Sequence, residues 1–444
     1  MKHFFSLILF SLIFSVATIS VAYSQILPER ERATLRDEIL KDRFDNLLPQ
    51  LMDDTGIDMW LVIAREYNED PVMRTMLPAT WLNARRRTIL VFYRNKEQNT
   101  LERLAVARYD VGANITSSWD KEIQPNQWER LVEIIKERPV EKIGINISKH
   151  FGIADGLVKT DYQELMGALP SDLEEKIVSA EKLAIAWIET RTEKEMLLYN
   201  QLVDITSAII DQAFSAAVIT PGKTTTDDIV WWMRQKVTSL GLETWFHPTI
   251  DIQRNNEALQ SHIYSFTKGE KQKTVLPGDL LHCDFGITYI SLNTDCQRHA
   301  YVLRTGETQV PEFLTTAFAK GNQVQDIFTG NFKTGSTGNQ ILAKSLKQAR
   351  DKGLRPSIYT HPLGTYGHSS GTTFGMWDSQ QGLPVNGDYP LHENTVYAIE
   401  LNTTVTIKQW KKDIRIMLEE AGYWGANGFR YVNGRQEAIK AIAW

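Results

Sequence analysis

The stretch Gly278-Asp279-Leu280-Leu281-His282-Cys283-Asp284-Phe285-Gly286 decides the fold, together with Asn293-Thr294-Asp295-Cys296-Gln297-Arg298 shortly after it. The pattern is typical of two short apolar strands joined by a turn, each with one aspartate. A buried carboxylate is costly unless a cation lies beside it. If Asp284 and Asp295 are cross-strand partners, both carboxylates point to the same face. Two acids without a neighbouring lysine indicate oxygen ligands for a divalent metal, and solvated acids of a surface hairpin are the alternative.

The composition is that of a globular protein with more than one domain. The 444 residues suffice for about two or three domains with their own cores. Hydrophobic content of 42% and charged content of 23% are ordinary for such proteins. A formal charge of −5 and the lack of a long basic run argue against nucleic acid as a partner. The densest basic spot, Arg85-Arg86-Arg87, is interpreted as a solvated strand end.

The first 24 residues have the pattern of a secretory signal. Lys2 precedes an uncharged apolar run from Phe4 to Val21, and Ala22-Tyr23-Ser24 provides small residues at the cleavage spacing. The sequence therefore predicts a secreted or periplasmic protein whose mature chain begins at Gln25. A retained membrane anchor is the alternative. Because no later stretch is long and apolar enough to span a bilayer, we expect no membrane partner after the signal is removed.

The two cysteines, Cys283 and Cys296, become cross-strand neighbours if Asp284 is paired with Asp295. They would lie on the face opposite the aspartates. A disulfide could form there if the Cβ separation allowed it. Buried free thiols that fill core space are the favoured interpretation.

Residues 26–183 are predicted to form an N-terminal α/β unit. A charged helical stretch at 29–50 is followed by strand-like apolar runs at 58–63, 88–93 and 142–147, with a helix between the last two. The unit contains no cluster of histidines, cysteines or acids. Its expected role is structural support, substrate gating or dimer contacts.

Residues 184–444 are predicted to form a second domain that begins with two helices. Thr190-Arg191-Thr192-Glu193-Lys194-Glu195 has a capping-box pattern and opens a long helix to about Ala217. Thr225-Thr226-Asp227-Asp228 caps the next helix, which ends at Gly241. Two more helices are expected at 311–352.

Two later segments add further candidate ligands. The glycine-rich loop at 360–371 contains His361 and His368, and its glycines permit the backbone to approach a ligand closely. Beyond it, Glu400 is embedded in an apolar run, and Glu419 ends the next one. Pairing these two glutamates makes a second hairpin with one acid in each strand. Four carboxylates and one histidine are what a pair of divalent cations needs, and two such ions can share a hydroxide while polarising the carbonyl of an amide bond.

These residues resemble the ligands of the pita-bread metallopeptidases, the group of methionine aminopeptidase, aminopeptidase P, prolidase and creatinase. The resemblance covers nearly the whole mature chain. It implies an α+β pita-bread catalytic domain, preceded by an α/β domain of the creatinase/prolidase type at 26–183. That extra domain favours the aminopeptidase P and prolidase branch. A homodimer is also implied by the resemblance.

The resemblance also implies the roles of individual residues. Asp284 and Asp295 would bind one metal, His361 would join on the other, and Glu400 and Glu419 would complete the site. The two divalent ions would be manganese first, with cobalt or zinc as alternatives. A bridging hydroxide would attack the scissile bond of a small Xaa-Pro peptide. Glu400 would accept a proton, whereas His262 and His368 would bind substrate and stabilise the tetrahedral intermediate.

The sequence departs from the family pattern at several positions, and these are Gln297, Ser369, Leu401-Asn402 and Met417. An ungapped match places Met417 at the last ligand position. We prefer Glu419, because it shares a strand face with Met417 and a thioether cannot replace a carboxylate on a hard metal. His282 is predicted to orient Asp284, or alternatively to fill core space. The competing functions are a metal-free hydrolase of C–N bonds of the creatinase type, and a catalytically inactive member that binds peptides.

Overall fold

The computed structural model describes residues 26–257 and 272–444. The predicted signal at 1–24 and the predicted catalytic residue His262 lie outside these ranges. The described chain divides into two compact units, of which one consists mainly of Glu29–Glu195. The other contains Met196–His368 and Thr372–Trp444. The sequence interpretation placed the boundary twelve residues earlier, after residue 183.

The smaller unit is an α/β structure, as predicted. Its helices are α1 (Glu29–Asp42), α2 (Leu48–Thr55), α3 (Pro71–Arg74), α4 (Gln127–Lys136), α5 (Lys159–Ala168), α6 (Ser171–Glu174) and α7 (Glu181–Glu189), with a π-helical turn at Arg43–Leu47 and a 3₁₀ turn at Gly152–Ala154. Its strands are β1 (Met59–Arg65), β2 (Arg87–Asn95), β3 (Thr100–Val106), β4 (Thr116–Ser117), β5 (Ile143–Ile145) and β6 (Ile177–Ser179). They form one mixed sheet in the order β4-β3-β2-β1-β5-β6. Strands β1 and β2 are apolar on both faces because both faces are buried.

The larger unit contains the four helices that the sequence predicts for the second domain. These are α8 (Glu193–Ala213), α9 (Thr226–Ser239), α10 (Glu312–Thr329) and α11 (Gly338–Asp351). At the start of α9, the Thr225 side chain accepts from the Asp228 backbone and the Asp228 side chain accepts from the Thr225 backbone, which is the capping box. Within the described ranges, no helix is long and apolar enough to cross a membrane.

The strands of the larger unit form four sheets. Their bounds are β7 (Thr249–Gln253), β8 (Leu280–Phe285), β9 (Thr288–Tyr289), β10 (Leu292–Asn293), β11 (Cys296–Val302), β12 (Pro356–Ile358), β13 (His361–Leu363), β14 (Thr395–Ala398), β15 (Leu401–Ile407), β16 (Lys412–Leu418), β17 (Ala421–Gly425), β18 (Gly428–Tyr431) and β19 (Lys440–Ile442). The sheet orders are β19-β11-β8-β7, β12-β15-β16, β13-β14-β17-β18 and the small ribbon β10-β9. Residues from α10, α11 and the adjoining strands form a hydrophobic core of this unit.

The predicted register of the aspartate hairpin is wrong by two residues. Asp284 pairs with Gln297, and Asp295 lies just before β11 rather than opposite Asp284. The register is set by a two-residue turn at Ile290-Ser291, where both φ angles are positive, at 49° and 63°. Such a turn fixes the pairing of its strands, but Asn-Gly or Asp-Gly is its usual signal and this chain has neither. Because the shift is an even number of residues, both acids stay on the predicted face.

The same shift separates the two cysteines. Cys283 pairs with Arg298 and Cys296 with Phe285, so the thiols are not direct cross-strand neighbours. Both are buried and free, as the favoured interpretation expected. Burial also raises the pKa of the Cys296 thiol to about 12.

The second acidic hairpin has the predicted register. Val405 pairs with Ile414, and the pairing extends to Leu401 and Leu418 at the base of the hairpin. Glu400 therefore lies immediately before β15, at the point where the chain leaves the sheet that contains β14. Glu419 follows β16 directly and forms an isolated bridge with Gln297 of β11.

Candidate metal centre

Two aspartates and a glutamate converge in the larger unit from three separate segments. Asp284 comes from β8, Asp295 from the residue before β11, and Glu419 from the residue after β16. Each offers one oxygen, and these three oxygens all lie within 4.8 Å of one another. Burial and the neighbouring carboxylates raise the pKa of Asp295 and of Glu419 well above the usual range. Three like charges at this separation need a cation or protons.

His361 presents an unprotonated nitrogen to the same point. It begins β13, and its Nδ1 lies 2.9 Å from the Pro362 carbonyl oxygen. A carbonyl only accepts, so Nδ1 carries the hydrogen and Nε2 carries the lone pair. This Nε2 is 3.8 Å from Asp295 Oδ2 and 4.0 Å from Glu419 Oε1. Burial lowers the pKa of His361 to about 3, which keeps the ring neutral and able to bind a metal.

Glu400 completes the group. One of its oxygens lies within 4.8 Å of ligand atoms of His361 and Glu419. Burial and the charge of Asp284 raise the pKa of Glu400 well above the usual range, and hydrogen bonds from Gln297 and Tyr359 oppose this rise. The backbone oxygen of Glu400 accepts from the Thr360 hydroxyl at 3.0 Å. This contact ties the turn that carries Glu400 to the segment that carries His361.

Three neighbouring residues near the end of β16, Met417, Glu419 and Glu420, have different surroundings in the structure. Glu419 joins the acidic group, whereas Glu420 pairs with Arg298 at 2.7 Å and is only 1% exposed. The backbone N–H of Met417 donates to His299 Nε2 at 3.0 Å, and a methionine thioether is a poor ligand for a hard divalent metal. The geometry therefore agrees with the preference for Glu419 over Met417.

The residues present fit a pair of divalent cations. Four buried side-chain atoms of this group have no hydrogen-bond partner among the described residues, and they are Asp284 Oδ1, Asp295 Oδ1, His361 Nε2 and Glu419 Oε1. Buried polar atoms are almost always satisfied, so four acceptors without a hydrogen-bond partner at one point are suited to binding a cation. Carboxylate oxygens with one imidazole suit divalent metals.

His368 lies beside this group and not within its buried part. Its ring centroid is 4.7 Å from that of His361, but the residue is exposed. Partial burial lowers the pKa of His368. Trp245 packs edge-on against His368 at 5.1 Å and donates its Nε1–H to the Thr294 carbonyl at 2.8 Å. A Cβ on Gly367 would lie 2.4 Å from the Trp245 ring, so the glycine makes this packing possible.

The role predicted for His282, that of orienting Asp284, stays a prediction. His282 lies opposite His299 in the sheet, and its Nε2 contacts Gln297 Oε1 at 3.0 Å. Its Nδ1 faces Asp251 Oδ2 at 3.3 Å. No hydrogen bond joins His282 to Asp284 among the described residues. The sequence reasoning missed Trp245, Tyr359 and Asp251, because each lies outside the acidic hairpins and none belongs to a pattern.

Comparison with known proteins identifies the fold. No curated protein matches the sequence. The X-Pro aminopeptidase from Thermotoga maritima MSB8 superposes with a TM-score of 0.61 at 16% identity, covering 88% of this chain and 100% of that one. For the Xaa-Pro dipeptidase from Bacillus anthracis the TM-score is 0.56 at 15% identity, with 92% and 100% covered.

A third similar structure is the N-terminal domain of FACT complex subunit SPT16 from Cicer arietinum, with a TM-score of 0.55 at 11% identity and 91% and 99% covered. It is named for a complex and not for a reaction, and identities this low show the fold alone. A family model gives the sequence-level assignment. It matches residues 198–423, just over half of the 444 residues, and this chain belongs to metallopeptidase family M24.

Proposed function

We propose that this protein is a metal-dependent peptidase that hydrolyses the bond next to proline in small peptides, as an Xaa-Pro aminopeptidase or dipeptidase. The observation that carries the proposal is the convergence of Asp284, Asp295, His361, Glu400 and Glu419, with four of their buried atoms unpartnered among the described residues. The printed names of the similar structures support the preference for proline-containing substrates. The signal pattern supports a secreted or periplasmic location, and the family resemblance supports a homodimer.

The five residues would hold two divalent cations, manganese first and cobalt or zinc as alternatives. Asp284 and Asp295 would bind one ion, His361 would bind the other, and Glu400 and Glu419 would complete both coordination shells. When bound, the ions would supply a polarised water and Lewis acidity toward the scissile carbonyl. The nearby Arg298 is already paired with the Glu420 carboxylate.

The side chains of this protein would handle protons and orientation. Glu400 would accept the proton of the attacking water, because its carboxylate is buried and held in place by Gln297 and Tyr359. His368 is partly exposed beside His361, where its N–H could donate to the substrate carbonyl as negative charge develops. The edge contact with Trp245 would fix the ring of His368 in that position. His262 is proposed to share this role on the strength of the family resemblance.

The test is hydrolysis of Xaa-Pro peptides by protein that has been stripped of metal and reloaded with manganese, cobalt or zinc. We expect turnover that depends on the metal and on proline, with matched Xaa-Ala peptides as the substrate control. Asp295→Asn should abolish turnover. Met417→Leu is the matched control variant, since Met417 is buried near Glu419 and donates only its backbone N–H to His299. Inert protein with all three metals would count against the proposal.

The same experiment separates the two competing functions. Turnover of a C–N bond by fully chelated protein would establish the metal-free alternative. Tight peptide binding without turnover in the presence of bound metal would establish an inactive binding member. The metal-free alternative does not account for the unpartnered atoms of Asp284, Asp295, His361 and Glu419, because it leaves the buried acids without a compensating cation.

A further inference from the structure

Gln297 is a buried amide placed between the two glutamates of the candidate metal centre. It lies on β11 and is 2% exposed. Its Nε2 donates to Glu400 Oε1 and, at 3.2 Å, to Glu419 Oε2. Its backbone N–H donates to the Glu419 carbonyl at 3.1 Å. One residue therefore contacts both glutamates, which come from strands on either side of a hairpin.

The orientation of this amide is fixed by its other end. Gln297 Oε1 lies 3.0 Å from His282 Nε2, which must carry a hydrogen because an amide oxygen only accepts. The other ring nitrogen, Nδ1, lies 3.3 Å from Asp251 Oδ2, and this contact is also a hydrogen bond when both ring nitrogens carry hydrogens. Turning the amide over would place its oxygen against two carboxylates and its NH₂ group against an N–H. When the two glutamates are ionised, as metal ligands are, the Gln297 amide therefore turns its NH₂ group toward them and its oxygen toward His282.

The amide also forms hydrogen bonds with one oxygen of each glutamate. Glu419 Oε2 is occupied by Gln297, whereas Glu419 Oε1 has no partner among the described residues. That free oxygen is the one that lies 4.0 Å from His361 Nε2. An NH₂ group has two hydrogens, one for each glutamate, so it can fix the orientation of both carboxylates at once.

We propose that Gln297 is a positioning residue that holds Glu400 and Glu419 in the orientation that binds metal, with His282 orienting its amide. This inference rests on the proposed function and assigns no contact of Gln297 with metal or substrate. Residues that orient metal ligands commonly change metal affinity or activity by about 10- to 100-fold when they are lost. We expect an effect in that range here.

The test compares metal binding by the wild type and by Gln297→Met. This substitution keeps the side-chain length and removes the C=O and NH₂ groups of the amide. Manganese is titrated into metal-free protein in a calorimeter, and stoichiometry and Kd are recorded. We expect at least one manganese site of Gln297→Met to weaken by about 10- to 100-fold. In peptide kinetics at saturating manganese, kcat should fall more than KM rises, because the reacting groups are misplaced while substrate contacts remain.

Gln253→Met is the matched control. Gln253 is also a buried glutamine of the same sheet, but within the described part of the chain its amide bonds only the backbone of Arg415, at 2.7 and 2.8 Å. This variant loses the same C=O and NH₂ groups without removing a hydrogen bond to Glu400 or Glu419. We expect lower thermal stability and unchanged manganese affinity. Equal loss of manganese affinity in both glutamine variants would assign the effect to general loosening of the sheet and overturn the proposal.

A second variant tests whether Gln297 acts through its link to His282. His282→Phe keeps a ring beside His299 and removes the donor that holds Gln297 Oε1. We expect a smaller loss of manganese affinity than in Gln297→Met, and no further loss in the double variant, because both changes release the same amide. Additive losses would contradict the proposed link between Gln297 and His282. This variant also keeps the test informative if Gln297→Met does not fold.

The outcomes distinguish this inference from the proposed function. Wild-type protein that binds no manganese, cobalt or zinc would refute the proposed function and this inference together. Wild-type protein that binds two ions, with Gln297→Met binding them equally well at unchanged kcat, would refute the positioning role and leave the peptidase proposal intact.

Discussion

Replacing either of two adjacent buried glutamates, Glu419 and Glu420, with glutamine should change the free energy of unfolding, and the two changes should have opposite signs. Each is 1% exposed, but the Glu420 carboxylate has Arg298 at 2.7 Å, whereas the Glu419 carboxylate faces other acids, the neutral His361 and the Gln297 amide. In metal-free protein, Glu420→Gln breaks a buried ion pair and should cost about 3 to 5 kcal/mol of unfolding free energy. Glu419→Gln removes one of several like charges and should stabilise the protein.

The expected gain in stability of Glu419→Gln follows from the distances between its carboxylate and the neighbouring carboxylates. Glu419 offers an oxygen within 4.8 Å of oxygens of Asp284 and Asp295. Two unit charges about 5 Å apart repel by about 3 kcal/mol at an effective dielectric constant of about 20. Part of this repulsion is already relieved by protonation, since the pKa of Glu419 is raised by burial and by its acidic neighbours. We therefore expect a gain of about 1 kcal/mol.

The assay is urea unfolding of the wild type and both variants, first with a chelator and then with manganese in excess. Manganese at about 100 times its Kd should stabilise the wild type by about 2.7 kcal/mol for each site. Glu420→Gln should retain this gain and Glu419→Gln should lose it. If both variants lose similar stability in chelator, or if manganese stabilises Glu419→Gln as much as the wild type, the assignment of Glu419 as a ligand is refuted.

Three further changes have defined outcomes. Glu189 is buried with both oxygens unpartnered among the described residues, and burial raises its pKa well above the usual range. Its contribution to stability is thus full below about pH 4 and is lost as pH rises toward the folded pKa. Urea unfolding should show Glu189→Met more stable than the wild type at pH 7 by about 1 to 3 kcal/mol, with the difference vanishing below about pH 4; an advantage that did not depend on pH would contradict this. Gly367→Ala should lower both melting temperature and kcat/KM, because its Cβ meets the Trp245 ring at 2.4 Å, and wild-type values for both would show that the ring can move aside. Met417→Leu should keep manganese affinity within about twofold by calorimetry, and a loss matching that of Glu419→Gln would restore Met417 as a candidate ligand.

The sequence predicted the acidic group better than the strand pairing that carries it. Asp284 and Asp295 were expected to be cross-strand partners and are not. The deciding feature is the turn at Ile290-Ser291, whose positive φ angles occur in residues that do not usually adopt them. The two acids still converge, because strand side chains alternate and an even shift leaves them on one face.

The choice between Met417 and Glu419 shows which kind of reasoning was reliable. Strand parity and ligand chemistry favoured Glu419, and its carboxylate lies with the other acids. The structure adds that the next residue, Glu420, pairs with Arg298, next to the bridge between Gln297 and Glu419. Physical constraints that act within one strand could thus be worked out from the sequence.

Contacts between distant segments could not be predicted in this way. Trp245 reaches His368 from a loop more than a hundred residues away, and nothing in the residues around it marks a functional position. The residue opposite His282 in the sheet depended on the register, and it is His299. Gln297 was noticed only as a departure from a pattern, and its role between two glutamates required coordinates.

The most direct test of the central claim is anomalous diffraction from a crystal of this protein soaked with manganese. Two anomalous peaks about 3.5 to 4 Å apart are expected. Both should lie within bonding distance of the group formed by Asp284, Asp295, His361, Glu400 and Glu419. A crystal that shows no manganese at this group, or manganese bound only elsewhere, would contradict the account.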